Sequence, residues 1–420
     1  MTTMDVEDQL QRMNLTYLDQ LGVAMQSQPS QREKIREDQI ENSEGGYVWA
    51  VNNLNRTRRF LILGTTGGSF YASEKTLTME NAKALIDIIE KGNGALILRE
   101  IVQISLDGRA PNQSSTLFAL ALCARALQLA AFEAVNCVCR IPTHLFTFVE
   151  YCELIAKATG VKENSSGWGR GMRATIGNWY KSKDPSLLAM HITKYPQRGG
   201  WSHRDLLRLA HPRVDPERDF DRSELLRYAV KGEISLKRRR EGEDSEGMAE
   251  EEPPSKALLL VNAVLDVKKL ALETDEQKAV ELIAQFGLVR EHLPPDFLNS
   301  VPVWRALLQK MPMTAMIRNL AKMTVIGLLA DGAGELTDPQ QLKAARIHPM
   351  SVLMASTTYS AGHGDKGKLQ WTPVVAVTKA LDEAFYLSFK NVEPTNKRYC
   401  IAVDVSGSMG CHIRGSSLSC

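Results

Sequence analysis

From about residue 78 to residue 390, apolar residues recur at helical spacing, with glycine or proline breaking the pattern at intervals. Leu145, Phe148, Val149 and Cys152 stand at i, i+3, i+4 and i+7, and so do Trp304, Leu307, Leu308 and Met311. Each set builds one apolar stripe on a helix. Breaks fall at Gly92-Asn93-Gly94, Gly108, Pro142, Gly160, Pro185, Pro212, Pro294-Pro295, Pro312, Gly332 and Gly334. The pattern implies a mainly α-helical array of helices roughly 10–20 residues long joined by short loops. An irregular bundle and a solenoid of stacked helix pairs both satisfy it. The chain shows no strict sequence repeat that would choose between them.

Around this array the sequence is less regular. Residues 1 to about 45 are polar and charged and read as a mobile arm with short helical pieces. Phe60-Leu61-Ile62-Leu63-Gly64, followed by Thr65-Thr66-Gly67-Gly68-Ser69, reads as a strand and a tight turn. That turn lacks the lysine of a phosphate-binding loop. Ser114 to Val135 is apolar but broken by Arg125, Gln128 and Glu133, which suits a buried helix better than a membrane span. The N-terminus has no basic start and no apolar segment, so no secretory signal is expected. The seven cysteines are Cys123, Cys137, Cys139, Cys152, Cys400, Cys411 and Cys420. Odd in number and set mostly in apolar stretches, they read as reduced intracellular thiols. Cys137, Cys139, His144 and Cys152 do not have the spacing of zinc pairs and are expected in the core.

The net charge of +2 conceals a sharp local imbalance. Residues 165–240 hold 17 cations against eight carboxylates, whereas 241–252 hold seven carboxylates and no cation. Trp168, Trp179, Tyr180, Tyr195 and Trp201 interleave with the cations, as do Gly169, Gly171, Gly199 and Gly200 and the histidines His191, His203 and His211. Cations neutralise phosphates, aromatic faces stack on unpaired bases, and glycine lets backbone amides approach a phosphate. Together these suit a single-stranded RNA surface. The same composition also suits a solvated basic helical face over core tryptophans. Lys237-Arg238-Arg239-Arg240 opens the bipolar run to Pro254, which reads as a surface loop. The basic run is also a candidate nuclear localisation signal. No nucleophile–base or paired-carboxylate constellation stands out, so no enzymatic activity is expected.

Near the far end, Arg398 to Val403 is a run of β-formers leading into Asp404-Val405-Ser406-Gly407-Ser408. It reads as a strand at 399–403, preceded by a helix at about 373–391. Asp404, Ser406 and Ser408 would present three oxygen side chains of the kind hard divalent cations take. This motif resembles the metal-ion-dependent adhesion site of von Willebrand factor A domains.

Three long stretches carry a wider resemblance: Gly169-Arg-Gly-Met-Arg-Ala-Thr-Ile-Gly-Asn-Trp-Tyr180, His191 through His211, and the Asp404–Ser408 loop. Over about residues 1–410 the chain resembles the Ro autoantigen family of ribonucleoproteins, whose TROVE module is shared by telomerase-associated, Ro and vault proteins. The resemblance implies a mainly α, HEAT-like helical-repeat ring over 1–370 with a positively charged central hole. It implies a truncated von Willebrand A (α/β) fragment over 371–420, with a divergent tail from about residue 411. Family members bind small noncoding Y RNAs and the single-stranded 3′ ends of misfolded noncoding RNAs, act in RNA quality control, and perform no chemistry. Carried over by motif, the RNA-binding candidates are Arg170, Arg173, Lys181, Lys183, His191, Lys194, Arg198, His203 and Arg204. The metal candidates are Asp404, Ser406 and Ser408, for magnesium or manganese. Because a complete A domain draws further ligands from later loops, metal binding here is expected to be weak or absent. The implied partners are noncoding RNA and proteins of the ribonucleoprotein, not membranes; the implied location is the cytoplasm, with a nuclear pool. The competing reading is a protein-interaction scaffold using helical repeats and an A-domain metal site.

Overall fold

The computed structural model describes residues 32–42, 45–64, 74–110, 112–127, 129–158, 168–237, 253–329, 337–364, 368–399, 401, 403, 405 and 407–410. Helix after helix begins where the sequence supplies a cap. In α1 (Asn53–Leu63), the Asn52 side chain accepts from the Asn55 amide at 2.8 Å. In α8 (Pro185–Lys194), the Asp184 carboxylate accepts from Ser186 and Leu187, and Pro185 occupies the first helical position. In α9 (His203–Ala210), Ser202 and Asp205 form a reciprocal capping box. Such caps satisfy amides that have no partner inside the helix. Asp219 opens α10 (Phe220–Lys231), which Gly232 closes at φ 80°.

The remaining helices are α2 (Glu74–Ile88), α3 (Gly94–Leu106), α4 (Ser114–Leu127), α5 (Leu129–Val138), α6 (Pro142–Ala158), α7 (Arg170–Ser182), α11 (Lys256–Val267), α12 (Leu272–Phe286), α13 (Val301–Leu308), α14 (Met313–Val325), α15 (Pro339–Ala344), α16 (Pro349–Ala361) and α17 (Val375–Ser388). Each packs on near neighbours: α1 on α2 and α4, α4 on α6, α5 on α7, α7 on α9, α8 on α11, α12 on α13, and α16 on α14 and α17. One apolar core runs through all of them, from Phe60 and Leu61 to Leu381 and Ala384. The 3.6-residue stripes that the sequence displays face this core: Leu145, Phe148, Val149, Trp304 and Leu307 are buried. The array also curls back on itself. Arg346, just past α15, brings Nη1 to 3.7 Å from the place a Cβ on Gly108, just past α3, would take.

Several expectations are corrected. Phe60–Leu63 is the last turn of α1, not a strand; Thr57, Phe60 and Leu61 share its buried face, and the helical period outweighs the β-character of the run. Thr65–Ser69 lies outside the described residues. The polar arm ends earlier than residue 45, because β1 (Gln39–Glu41) pairs antiparallel with β2 (Tyr47–Trp49). The apolar stretch from Ser114 is two helices, α4 and α5, not one. No helix among the described residues is long and apolar enough to cross a membrane. The expected strand at 399–403 is not seen among its described residues: Tyr399, Ile401 and Val403 belong to no strand and are exposed. A strand is stable only when neighbours take its backbone donors and acceptors, and among the described residues no strand pairs with these. The helix ahead of it does form, as α17, but Val377, Leu381 and Ala384 bury into the same core as α16. Helical packing therefore continues across residue 370. Cys123 and Cys139 are buried free thiols, and burial pushes Cys123 up to about 12.

Candidate nucleic-acid interface

The basic region folds around aromatic side chains that face inward. In α7 the buried positions Met172, Thr175, Ile176, Trp179 and Tyr180 follow the helical period. The Trp179 indole N–H donates to the Cys139 carbonyl at 2.6 Å. Trp168 is buried too, donating to Glu153 Oε1 at 3.1 Å. These three rings, Trp168, Trp179 and Tyr180, are core, so the reading of them as base-stacking faces is corrected. Tyr195 and Trp201 remain partly exposed.

The glycines also have structural tasks. A Cβ on Gly171 would come within 2.7 Å of the Phe132 ring, so glycine there is what lets α7 lie this close to α5. Gly199 (φ 58°) and Gly200 (φ 81°) form the two-residue turn of a hairpin between β3 (Gln197–Arg198) and β4 (Trp201–Ser202). Two successive positive φ angles favour glycine in such a turn. The turn carries Arg198 on its exposed strand.

His203 is buried and spoken for. Its Nε2 lies 3.0 Å from the Tyr195 carbonyl, which can only accept, so Nε2 carries the proton. Its Nδ1 then accepts from the Tyr180 hydroxyl at 2.7 Å. Burial lowers its pKa to about 4, which keeps the ring neutral. Both ring nitrogens serve the fold, and His203 offers no atom to a ligand in this conformation. His191 is buried as well, stacked on Trp179 with centroids 5.8 Å apart. Burial, and then the charges of Lys183 and Lys194, lower it to about 4, and its Nδ1 has no hydrogen-bond partner among the described residues.

The cations separate into two populations. Arg170, Arg173 and Lys181 lie on one exposed stripe of α7, at i, i+3 and i+11. Arg198 and Arg204 are exposed on the hairpin and on α9. None of these five side chains has an ion pair or hydrogen bond among the described residues. Lys183 and Lys194 lie over aromatic rings, at 4.9 Å from the Trp179 centroid and 5.2 Å from that of Tyr195, and both influence His191. The structure thus brings Lys183, His191 and Lys194 together. Arg204 opens instead onto a hollow of about 340 Å³ that it shares with Tyr228 and Lys231. Lys231 is one cation among many in the sequence; its place at this hollow depends on how α9 and α10 meet, which spacing alone does not reveal.

By contrast, Arg218 pairs with Asp215, Arg222 with Asp219 and Arg227 with Glu224, each at i and i+3. Arg238 to Arg240 and the acidic run from Glu241 to Glu252 lie outside the described residues, as do Asp404 and Ser406 and the side chain of Ser408. No group of three or more His, Cys, Asp or Glu among the described residues is placed to hold a metal.

A TROVE domain model matches residues 40–358. The chain is 42% identical to the RNA-binding protein RO60 of Caenorhabditis elegans, over 93% of this chain and 69% of that protein. It is 34% identical to the RNA-binding protein RO60 of Deinococcus radiodurans, over 91% of this chain and 68% of that one. A solved crystal structure, that of the Deinococcus radiodurans RO (RSR) protein, superposes with a TM-score of 0.66 at 33% identity, covering 86% of this chain and 68% of that one.

Proposed function

Because this chain belongs to the TROVE-domain family, we propose that it binds noncoding RNA, with α7, the β3–β4 hairpin and α9 as its contact surface. One observation carries this reading: the side chains of Arg170, Arg173, Lys181, Arg198 and Arg204 are exposed and have no ion pair or hydrogen bond among the described residues, and the elements that hold them are anchored in an aromatic core. Unpaired guanidinium and ammonium groups on fixed elements are what a phosphate backbone needs. Neutralising phosphates and releasing their counterions supplies the affinity, which must then fall steeply with salt.

We further propose Y RNAs and the single-stranded 3′ ends of misfolded RNAs as ligands, a role in RNA quality control without catalysis, and a cytoplasmic location with a nuclear pool directed by the run at Lys237. The Asp404–Ser408 loop is proposed to bind magnesium or manganese weakly at most. Only one of these three side chains carries a full negative charge, so titration calorimetry should show no tight site.

The decisive experiment replaces Arg170 and Arg173 with alanine and measures affinity for a structured RNA carrying a free 3′ tail. The expected result is weaker binding and a shallower salt dependence, by roughly 0.7 in log–log slope for each single-strand phosphate that is no longer neutralised. Unchanged affinity and slope would remove α7 from the interface.

A further inference from the structure

Among the described residues, helix α1 leaves one face uncovered. Asn55, Arg58, Arg59, Ile62 and Leu63 follow i, i+3, i+4, i+7 and i+8, apart from the buried face of Thr57, Phe60 and Leu61. Residues Val48 to Val51, running out of β2, form the opposite wall. Between them lies an open groove of about 710 Å³, within the range of small-ligand sites (roughly 300–1,000 Å³).

The groove holds two features that call for a ligand. The first is Trp49, 55% exposed where the tryptophans of the basic region are buried or half-buried. The Arg36 guanidinium lies over it, with Cζ 5.2 Å from the ring centroid. The second is the charge of the lining. Arg58 is held by Glu100 through bonds of 2.9 and 2.6 Å, but the exposed Arg59 side chain has no ion pair or hydrogen bond among the described residues. No carboxylate among the described residues lines the groove. An apolar peptide would cover Leu63 and Val51 and leave Arg59 facing it unmatched. A flat aromatic group that carries negative charge uses the indole and the free guanidinium at once.

We propose that this groove takes one nucleotide of a single-stranded RNA, its base against Trp49 and its phosphate beside Arg59. The proposal rests on the RNA-binding reading and adds a contact on α1, apart from the cations of α7 and α9. Stacking of a base on an aromatic side chain is tolerant of sequence, so the site would hold a strand without selecting it.

The test is fluorescence anisotropy with a labelled ten-nucleotide oligouridylate, using the full chain. Trp49→Ala is expected to weaken binding about tenfold, equivalent to about 1.4 kcal/mol. Trp49→Phe should recover most of that loss, because it restores a ring and little else. Arg59→Glu should weaken binding and flatten its salt dependence. All three substitutions are at exposed positions, and circular dichroism checks that each variant folds. The same variants in the Arg170→Ala, Arg173→Ala background should lose affinity by the same factors, since separate contacts add. If the α7 substitutions weaken binding and those at Trp49 and Arg59 change it by less than twofold, the groove proposal falls and the function stands. If the unmodified chain binds no oligouridylate, both fall. If RNA binding is untouched while a labelled polyglutamate peptide binds in a Trp49-dependent way, the groove serves an acidic protein and the proposal is overturned.

Discussion

The arginines of α7 to α9 and the set Arg218, Arg222 and Arg227 are close in sequence and opposite in use. Arg170, Arg173, Arg198 and Arg204 face water with no side-chain partner among the described residues. Arg222 is 12% exposed, donates to Asp219 at 2.7 Å and also donates to the Lys183 carbonyl at 2.8 Å. Arg227 is bound to Glu224, whose carboxylate also accepts from the Ser235 amide at 2.7 Å. One set is available to an outside polyanion; the other holds α10 to its surroundings. Local charge excess therefore overstates the binding surface, and pairing is what separates the two sets.

Substitutions should divide along the same line. The largest effect belongs to the core beneath the free cations: Trp179→Ala should cost roughly 3–5 kcal/mol, read as a fall in denaturant midpoint, because a fully buried ring leaves a cavity. Next is Arg222→Ala, expected to cost roughly 1–3 kcal/mol because it strips partners from Asp219 and the Lys183 carbonyl. RNA affinity of the folded protein should stay within twofold. A loss of RNA affinity there without a loss of stability would break the comparison.

Acid should act on the core and not on the free cations. His191, His203 and His292 have folded pKa values of about 4, below the ordinary 6.5, chiefly through burial. The unfolded chain then binds more protons below pH 6.5, so stability is full above that value and declines as pH falls from 6.5 toward 4. The melting temperature should be lower at pH 5 than at pH 7; a flat profile would show that these rings are not held neutral. Smallest of all, Arg218→Ala should alter stability by less than roughly 0.5 kcal/mol, since its pair with Asp215 is exposed. It should leave RNA binding untouched, in contrast to Arg173→Ala.

Much of this is legible in the residues. The spacing of Leu145 to Cys152 and of Trp304 to Leu308 announces helices and their inner faces, because a period of 3.6 is a local property, although Met311 lies past the end of α13. The exposed cations of α7 are legible too. What separates them from Arg218, Arg222 and Arg227 is also written in the chain, as Asp215, Asp219 and Glu224 three residues ahead of each, a spacing that brings side chains together in a turn, at a helix cap and along a helix. Phe60–Leu63 misleads because β-branched and aromatic content describes a preference that packing overrides; the Asn52 cap is the better guide. The inward turn of Trp179 and His203 is not legible by composition, since an aromatic among cations reads alike whether it lines a surface or a core. The groove at Trp49 depends on a hairpin meeting a helix, and no periodicity announces such a meeting.

The hydrogen-bonded chain from Tyr180 through His203 to the Tyr195 carbonyl ends two residues before the hairpin begins. It moors the exposed hairpin, whose turn also lies against Glu150, to the molecule's dry interior. Raising ionic strength will therefore change how strongly Arg198 attracts a passing polyanion without changing where that arginine waits. A strand released by salt should find, on dilution, the same grip in the same place.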